Sequence, residues 1–188
     1  FMLGINALTI TDGGSRVIPQ TREDWTDWVS ATATRNHALE DPLLDWLDLY
    51  GNQHGFTSDF HLPGYDPRTD FSRFLMQKGR SFESAVINHL KTTIPIQTIA
   101  TSPMQSRSLE AAEQTLEAMC RGELAISQAV LRDPESRTYG LADLLVRSDE
   151  LRKLFPGSLT EEESSVPAPD LGSSEWHYRV VDIKFTTL

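Results

Sequence analysis

Residues 139–147 read YGLADLLVR and residues 177–185 read HYRVVDIKF, and the fold turns on these two stretches. In the first, the even positions are Gly140, Ala142, Leu144 and Val146, and the odd ones include Leu141, Asp143 and Leu145. Both faces are apolar apart from one carboxylate. A strand apolar on both faces is a buried strand. A carboxylate there is costly unless a cation or hydrogen-bond donors meet it. In the second stretch Val181, Ile183 and Phe185 share one face. Asp182 and Lys184 share the other, about 7 Å apart along an extended chain. An acid and a base together on a short apolar strand mark the place to look for chemistry.

Outward from this pair, residues 124–132 (LAISQAVLR) predict a strand, and Asp133-Pro134-Glu135-Ser136 a turn that joins it to the first stretch as a hairpin. Further upstream the period lengthens. Residues 108–121 put Leu109, Ala112, Leu116 and Met119 on one side of a helix, with Gly122 to end it. Residues 70–91 predict a longer helix. Phe71, Leu75, Phe82, Val86 and Leu90 gather on one side of a helical wheel, with Gly79 and Glu83 towards its edge.

Residues 1–69 predict an acidic, mainly helical extension to an α/β core at 70–188. Trp25, Trp28, Val29 and Thr32 follow helical spacing. Asp41 then caps a helix with Pro42 at its first position, an apolar side of Leu43, Leu44, Trp46, Leu47 and Tyr50, and Gly51 as its stop. Residues 51–69 are loop by their Gly, Pro and Asp content. Residues 156–175 are rich in Pro, Ser and Glu and predict a flexible insertion.

Composition narrows the function. The 188 residues are 39% hydrophobic and 23% charged, enough to bury a core without metal or disulfide staples. Seventeen Lys and Arg against 27 Asp and Glu leave a net charge of −10. That excludes binding nucleic acid or an anionic membrane by bulk charge alone. The charge is uneven: residues 71–153 carry 11 basic and 10 acidic side chains, whereas residues 1–70 carry 4 and 11. Arg73, Lys78, Arg80, Arg147, Arg152 and Lys153 of the middle segment are therefore candidates for local phosphate contacts. One cysteine, Cys120, rules out a disulfide or a thiolate-held iron–sulfur cluster within this chain, and suggests a reducing, cytoplasmic setting. No apolar run approaches a membrane span, and no signal peptide is visible. His37, His54, His61, His89 and His177 are too scattered for a zinc motif.

The chemistry-bearing residues are then Glu83 on a helix, Asp143 and Asp182 on neighbouring strands, and Lys184 beside Asp182. Carboxylates and a backbone carbonyl are hard oxygen ligands that suit Mg2+ or Mn2+. Such an ion activates water and neutralises charge building on a phosphate. A neighbouring lysine can orient the water or stabilise that charge. Ordinary roles are open to the same residues. Glu83 could be the solvent edge of an amphipathic helix, Asp143 a carboxylate hydrogen-bonded on an edge strand, and Asp182 with Lys184 a plain ion pair. Gln128 reads as a half-exposed strand residue.

The segments Gly79-Arg80-Ser81-Phe82-Glu83, Gly140-Leu141-Ala142-Asp143 and Val181-Asp182-Ile183-Lys184, with the strand Ser127-Gln128-Ala129-Val130-Leu131, resemble the PD-(D/E)XK nuclease superfamily and within it the RecB-like nucleases. With 27 acids and four lysines, about half a match to D/E-x-K arises by chance, so the order of the three motifs carries the resemblance. It covers about residues 71–188. It implies a restriction-endonuclease-like core, a small mixed sheet flanked by helices, and metal-dependent hydrolysis of phosphodiester bonds, in DNA more than RNA. It implies Glu83, Asp143, Asp182 and the Ile183 carbonyl as ligands of Mg2+ or Mn2+, and Lys184 as the catalytic lysine, and it leaves open a Gln128 that faces the site. RecB-like enzymes follow their third strand with a helix carrying Gln and Tyr and a further strand. The resemblance therefore implies a core truncated after its third strand, completed by a missing C-terminal segment or a protein partner. The contrasting expectation is a nuclease-like scaffold without catalysis, serving as an interaction module of a nucleic-acid processing complex.

Overall fold

The computed structural model describes residues 28–57, 62–102 and 104–185. In chain order they form β1 (Val29–Ser30), α1 (Ala31–Ala38), α2 (Pro42–Tyr50), α3 (Phe71–Leu90), β2 (Ile96–Thr98), α4 (Leu109–Cys120), β3 (Ala125–Asp133), β4 (Thr138–Arg147), α5 (Ser148–Leu154), α6 (Glu161–Ser164) and β5 (Tyr178–Val181). The fold is mixed α/β, with a small, open, mixed sheet flanked by helices. β4 is its hub. β3 runs antiparallel along one edge of β4, with β2 parallel beyond it. The other edge of β4 carries β1, parallel, at residues 138–139, and β5, antiparallel, at residues 144–147. Among the described residues no helix is long and apolar enough to cross a membrane.

Side chains at the helix ends fix where they start. The Arg73 N–H donates to Asp70 Oδ1 at 2.9 Å and opens α3, and the Ala111 N–H donates to Ser108 Oγ at 3.1 Å and opens α4. Gly122 follows α4 with φ of 74°, the left-handed conformation that ends a helix, and a Cβ there would meet the Trp176 ring at 3.2 Å. Val29 and Ser30, expected on a helix, form β1 instead. Ser30 caps α1, its Oγ accepting the Ala33 N–H at 3.0 Å. Trp25 lies outside the described residues. Residues 51–54, expected as loop, continue α2 as a 3-10 turn.

Two apolar clusters hold the sheet. Ile126, Ala129, Val130, Ala142 and Leu145 pack with Ala111, Ala118 and Met119 of α4. Ala125, Leu144 and Val146 pack with Ile87 and Leu90 of α3 and Leu151 of α5. Strict alternation would put Ala129 with Ala125, and Ala142 with Leu144. Both lie in the other cluster, although Ile126 and Val130 share a face as alternation requires and the β3–β4 register is the same on either side of Gln128. Helix α3 packs only through its C-terminal half. Phe71, Leu75 and Phe82 of its expected apolar side are 70%, 42% and 41% exposed.

Two expectations change. β1 and β2 join the three strands anticipated at 124–185, and they are too short to leave a period. β5 stops at Val181, four residues before Phe185. Within residues 156–175 lies α6, with a full capping box from Thr160 and Glu163. The buried Ser148 ties them down, its Oγ donating to the Ser164 carbonyl at 2.6 Å and accepting the His177 N–H at 3.1 Å.

Leu144 is fully buried and Leu141 is 41% exposed on the same strand. Leu144→Ala is expected to cost about 2–5 kcal/mol in urea denaturation. Leu141→Ala should cost less than about 1 kcal/mol.

Candidate functional site

The pairing of β3 with β4 opens at one place, and Asp143 stands at it. The β3–β4 register runs from Ala125↔Val146 to Ser127↔Leu144, omits Gln128 and Asp143, and resumes at Ala129↔Ala142. Gln128 takes a left-handed backbone, with φ of 53°. On the other edge, the β4–β5 ladder stops at Leu144↔Val181, one pair before Asp143 would meet Asp182. The Ile183 N–H donates instead to Asp143 Oδ2 at 2.8 Å. The carboxylate thus takes a donor that a longer ladder would have given to a carbonyl. This is the physical reason β5 ends early.

Around this opening the sequence-predicted residues meet. Lys184 Nζ pairs with Asp182 Oδ1 at 2.8 Å, with both side chains more than half exposed. Glu83, half-buried where α3 leaves the core, accepts a short hydrogen bond from the Gln128 side-chain amide. Burial pushes the Asp143 carboxyl above the ordinary carboxylate range, and Asp182 adds to this against the Ile183 N–H. Burial also raises Glu83, with Asp143 adding and Lys184 and Arg80 opposing. The bond to Asp182 holds the Lys184 ammonium above its usual value. Glu83, Asp143, Asp182 and Lys184 therefore form one electrostatic group. Ile183 enters it through its N–H. Among the described residues no three His, Cys, Asp or Glu side chains are gathered as a metal-holding group.

Gln128, expected as a half-exposed strand residue or, on the resemblance, as facing the site, is the hydrogen-bond partner of Glu83. Its one signal is a polar side chain inside the buried run Ala125–Ser127 and Ala129–Val130. Arg147, expected as a free cation, is committed elsewhere. It bonds Asp149 Oδ2 at 2.6 Å and the Gly122 carbonyl at 3.1 Å, and lies over the Trp176 ring. Arg152 and Lys153 pair with Glu161 and Glu150. On α3, Arg73 and Arg80 line an open groove of about 520 Å³ with Met76, Gln77 and Ser81, and Lys78 sits over the Phe74 ring. No family model, curated protein or solved structure matches this chain.

The raised Asp143 has a consequence for stability. A carboxyl whose folded pKa lies above its unfolded one binds more protons in the folded state, so stability falls as pH rises through that window. Asp143→Asn keeps an oxygen for the Ile183 N–H and removes the charge. It is expected to melt a few degrees above the parent protein at pH 7 to 8. That advantage should vanish as pH is lowered through the carboxylate range, where Asp143 itself is protonated. Thermal melts across pH 3 to 8 measure this, and equal melting at pH 8 would contradict it.

Proposed function

We propose that this chain is a metal-dependent nuclease of the PD-(D/E)XK, RecB-like kind, hydrolysing phosphodiester bonds, with DNA as the first substrate to test. The observation that supports this most is the convergence of Glu83, Asp143, Asp182 and Lys184 on one opening in the sheet. They come from α3, from β4 and from the segment just past β5, far apart in sequence. A restriction-endonuclease-like core is the finer fold this reading carries.

Carboxylates are the donors that a hard divalent cation takes. Three carboxylates stand in mutual repulsion with a single ammonium among them, and the burial of Asp143 and Glu83 makes that repulsion costly. Magnesium is commonly bound by one or two carboxylates with waters and substrate phosphates rather than by a full protein cage. Asp143 and Asp182 would hold the ion, with the Ile183 carbonyl as backbone donor and Glu83 reaching it directly or through water. When bound, the ion supplies an activated water and positive charge at the phosphate.

The remaining work falls to the chain. Lys184 stays protonated at neutral pH, so it donates to the phosphate or orients the water, and does not serve as a base. The Ile183 N–H fixes Oδ2 of Asp143. Exposed Arg73, Lys78 and Arg80 on α3 give a net-acidic chain a local surface for a polyanion. A non-catalytic scaffold is the second reading, favoured by the lack of a three-ligand group among the described residues.

Calorimetric titration with Mn2+ and Mg2+, followed by cleavage of end-labelled single- and double-stranded DNA and RNA, tests both. The parent protein should bind the ions, and Asp143→Ala with Asp182→Ala should abolish binding. Lys184→Ala should retain binding and lose roughly 100-fold in cleavage rate. Cleavage by Lys184→Ala or Asp143→Ala at the parent rate would overturn the nuclease reading. Absence of saturable binding by the parent protein would favour the scaffold.

A further inference from the structure

Three non-glycine residues among those described have positive φ: Glu40, Gln128 and Arg137. Glu40 follows the end of α1, and Arg137 lies in the turn between β3 and β4, both ordinary places for a left-handed residue. Gln128 lies inside a buried strand, where a residue with a Cβ disfavours that conformation. The surroundings hold it there. Its carbonyl accepts the Ala100 N–H at 3.1 Å, and the preceding Ser127 carbonyl accepts the Ile99 N–H, also at 3.1 Å. Ser127 and Ala129 on either side are buried. Strain kept by its surroundings in this way concentrates where a side chain must be aimed.

The side chain so aimed meets one partner. The Gln128 amide donates to Glu83 Oε1 across 45 residues of sequence, the one hydrogen bond Glu83 receives among the described residues. Without it, Glu83 is a long side chain at the point where α3 leaves the core, free to turn to solvent. An amide nitrogen can only donate, and it engages one carboxylate oxygen, Oε1, of the two. A hydrogen bond alone would not call for the left-handed backbone, since an extended residue pays no strain. The backbone turn and the donor together point to one role.

We infer that Gln128 is a positioning residue for this site, its left-handed backbone and side-chain amide holding Glu83 towards Asp143. The inference rests on the metal-dependent reading above. Residues that orient metal-ligating carboxylates typically cost 10–100-fold in metal affinity when removed.

Two substitutions in the full chain separate positioning from folding. Gln128→Gly removes the amide and relieves the backbone, because glycine is at ease with positive φ. Gln128→Met keeps the length and the Cβ and removes only the donor. Both are measured for thermal melting and for Mn2+ affinity by electron paramagnetic resonance, alone and combined with Glu83→Ala. Gln128→Gly should melt no lower than Gln128→Met. Each should weaken Mn2+ binding by about tenfold. In the Glu83→Ala background neither should weaken it further, because the amide then has nothing to hold. Parent-like affinity in either folded variant would overturn the inference, as would an equal loss with and without Glu83. Failure of the parent protein to bind Mn2+ is a different result, which overturns the metal reading and this inference together.

Discussion

A carboxylate placed in the middle of the hub strand is the constraint around which the sheet is built. Every other part of the sheet depends on β4, through direct pairing of β1, β3 and β5 and through β3 for β2. A closed ladder on both sides of Asp143 would bury its charge without donors, which costs several kcal/mol. The ladders give way instead. β3 skips a pair at Gln128, β5 ends at Val181, and the Ile183 N–H turns to the carboxylate. The interruption is local because Ile126, Leu144, Leu145 and Val146 close around it almost completely shielded from water. Each cluster draws on residues from both sides of the gap or from a flanking helix, so the sheet is held from its two faces where its edges come apart.

The same opening sets the electrostatics. Asp143 and Glu83 are buried enough to be raised, yet Asp182 and Lys184 reach water. One ammonium stands among three carboxylates, with Arg80 of α3 acting on Glu83 and Arg35 of α1 on Lys184. A net charge of −10 weighs against a polyanion at long range. At short range the balance is decided by where the cations stand. Arg147, Arg152 and Lys153 are engaged by Asp149, Glu161 and Glu150 on the α5 side. Arg73, Lys78 and Arg80 stand exposed on the helix that carries Glu83.

Much of this architecture was legible in the sequence for reasons that are local. α3 and α4 are long, periodic and capped by Asp70 and Ser108. Asp41-Pro42 opened α2, and the hairpin of β3 and β4 was written in its turn and in two apolar runs. Asp143 stood out because it was the single carboxylate on a strand apolar on both faces. What was not legible is decided by contacts distant in sequence. β1 and β2, of two and three residues, exist because β4 and β3 offer them partners. β5 stops where a side chain 40 residues away takes its next N–H. Gln128 carries no local mark of a left-handed backbone, since glutamine is not a residue that favours one. Arg147 looked free because nothing in its neighbourhood in sequence announces Trp176 or the Gly122 carbonyl.

Glu83 shows how helix packing and site chemistry join. The wheel placed it at the edge of an apolar stripe running the length of α3. In the structure that stripe is buried only from Val86 onward, while Phe71, Leu75 and Phe82 face outward. Glu83 therefore sits at the boundary between the anchored and the projecting halves of one helix. Anchoring gives it enough burial to raise its carboxyl, and projection gives it room to move. A carboxylate in that position is well placed but poorly held by its own helix. The restraint comes from the facing strand, through the one residue there whose backbone is turned out of line. The opening at Asp143 and the turn at Gln128 are thus two sides of one event. Where the central strand cannot pair with its neighbour, the neighbour's side chain is released to fix the helix across the gap.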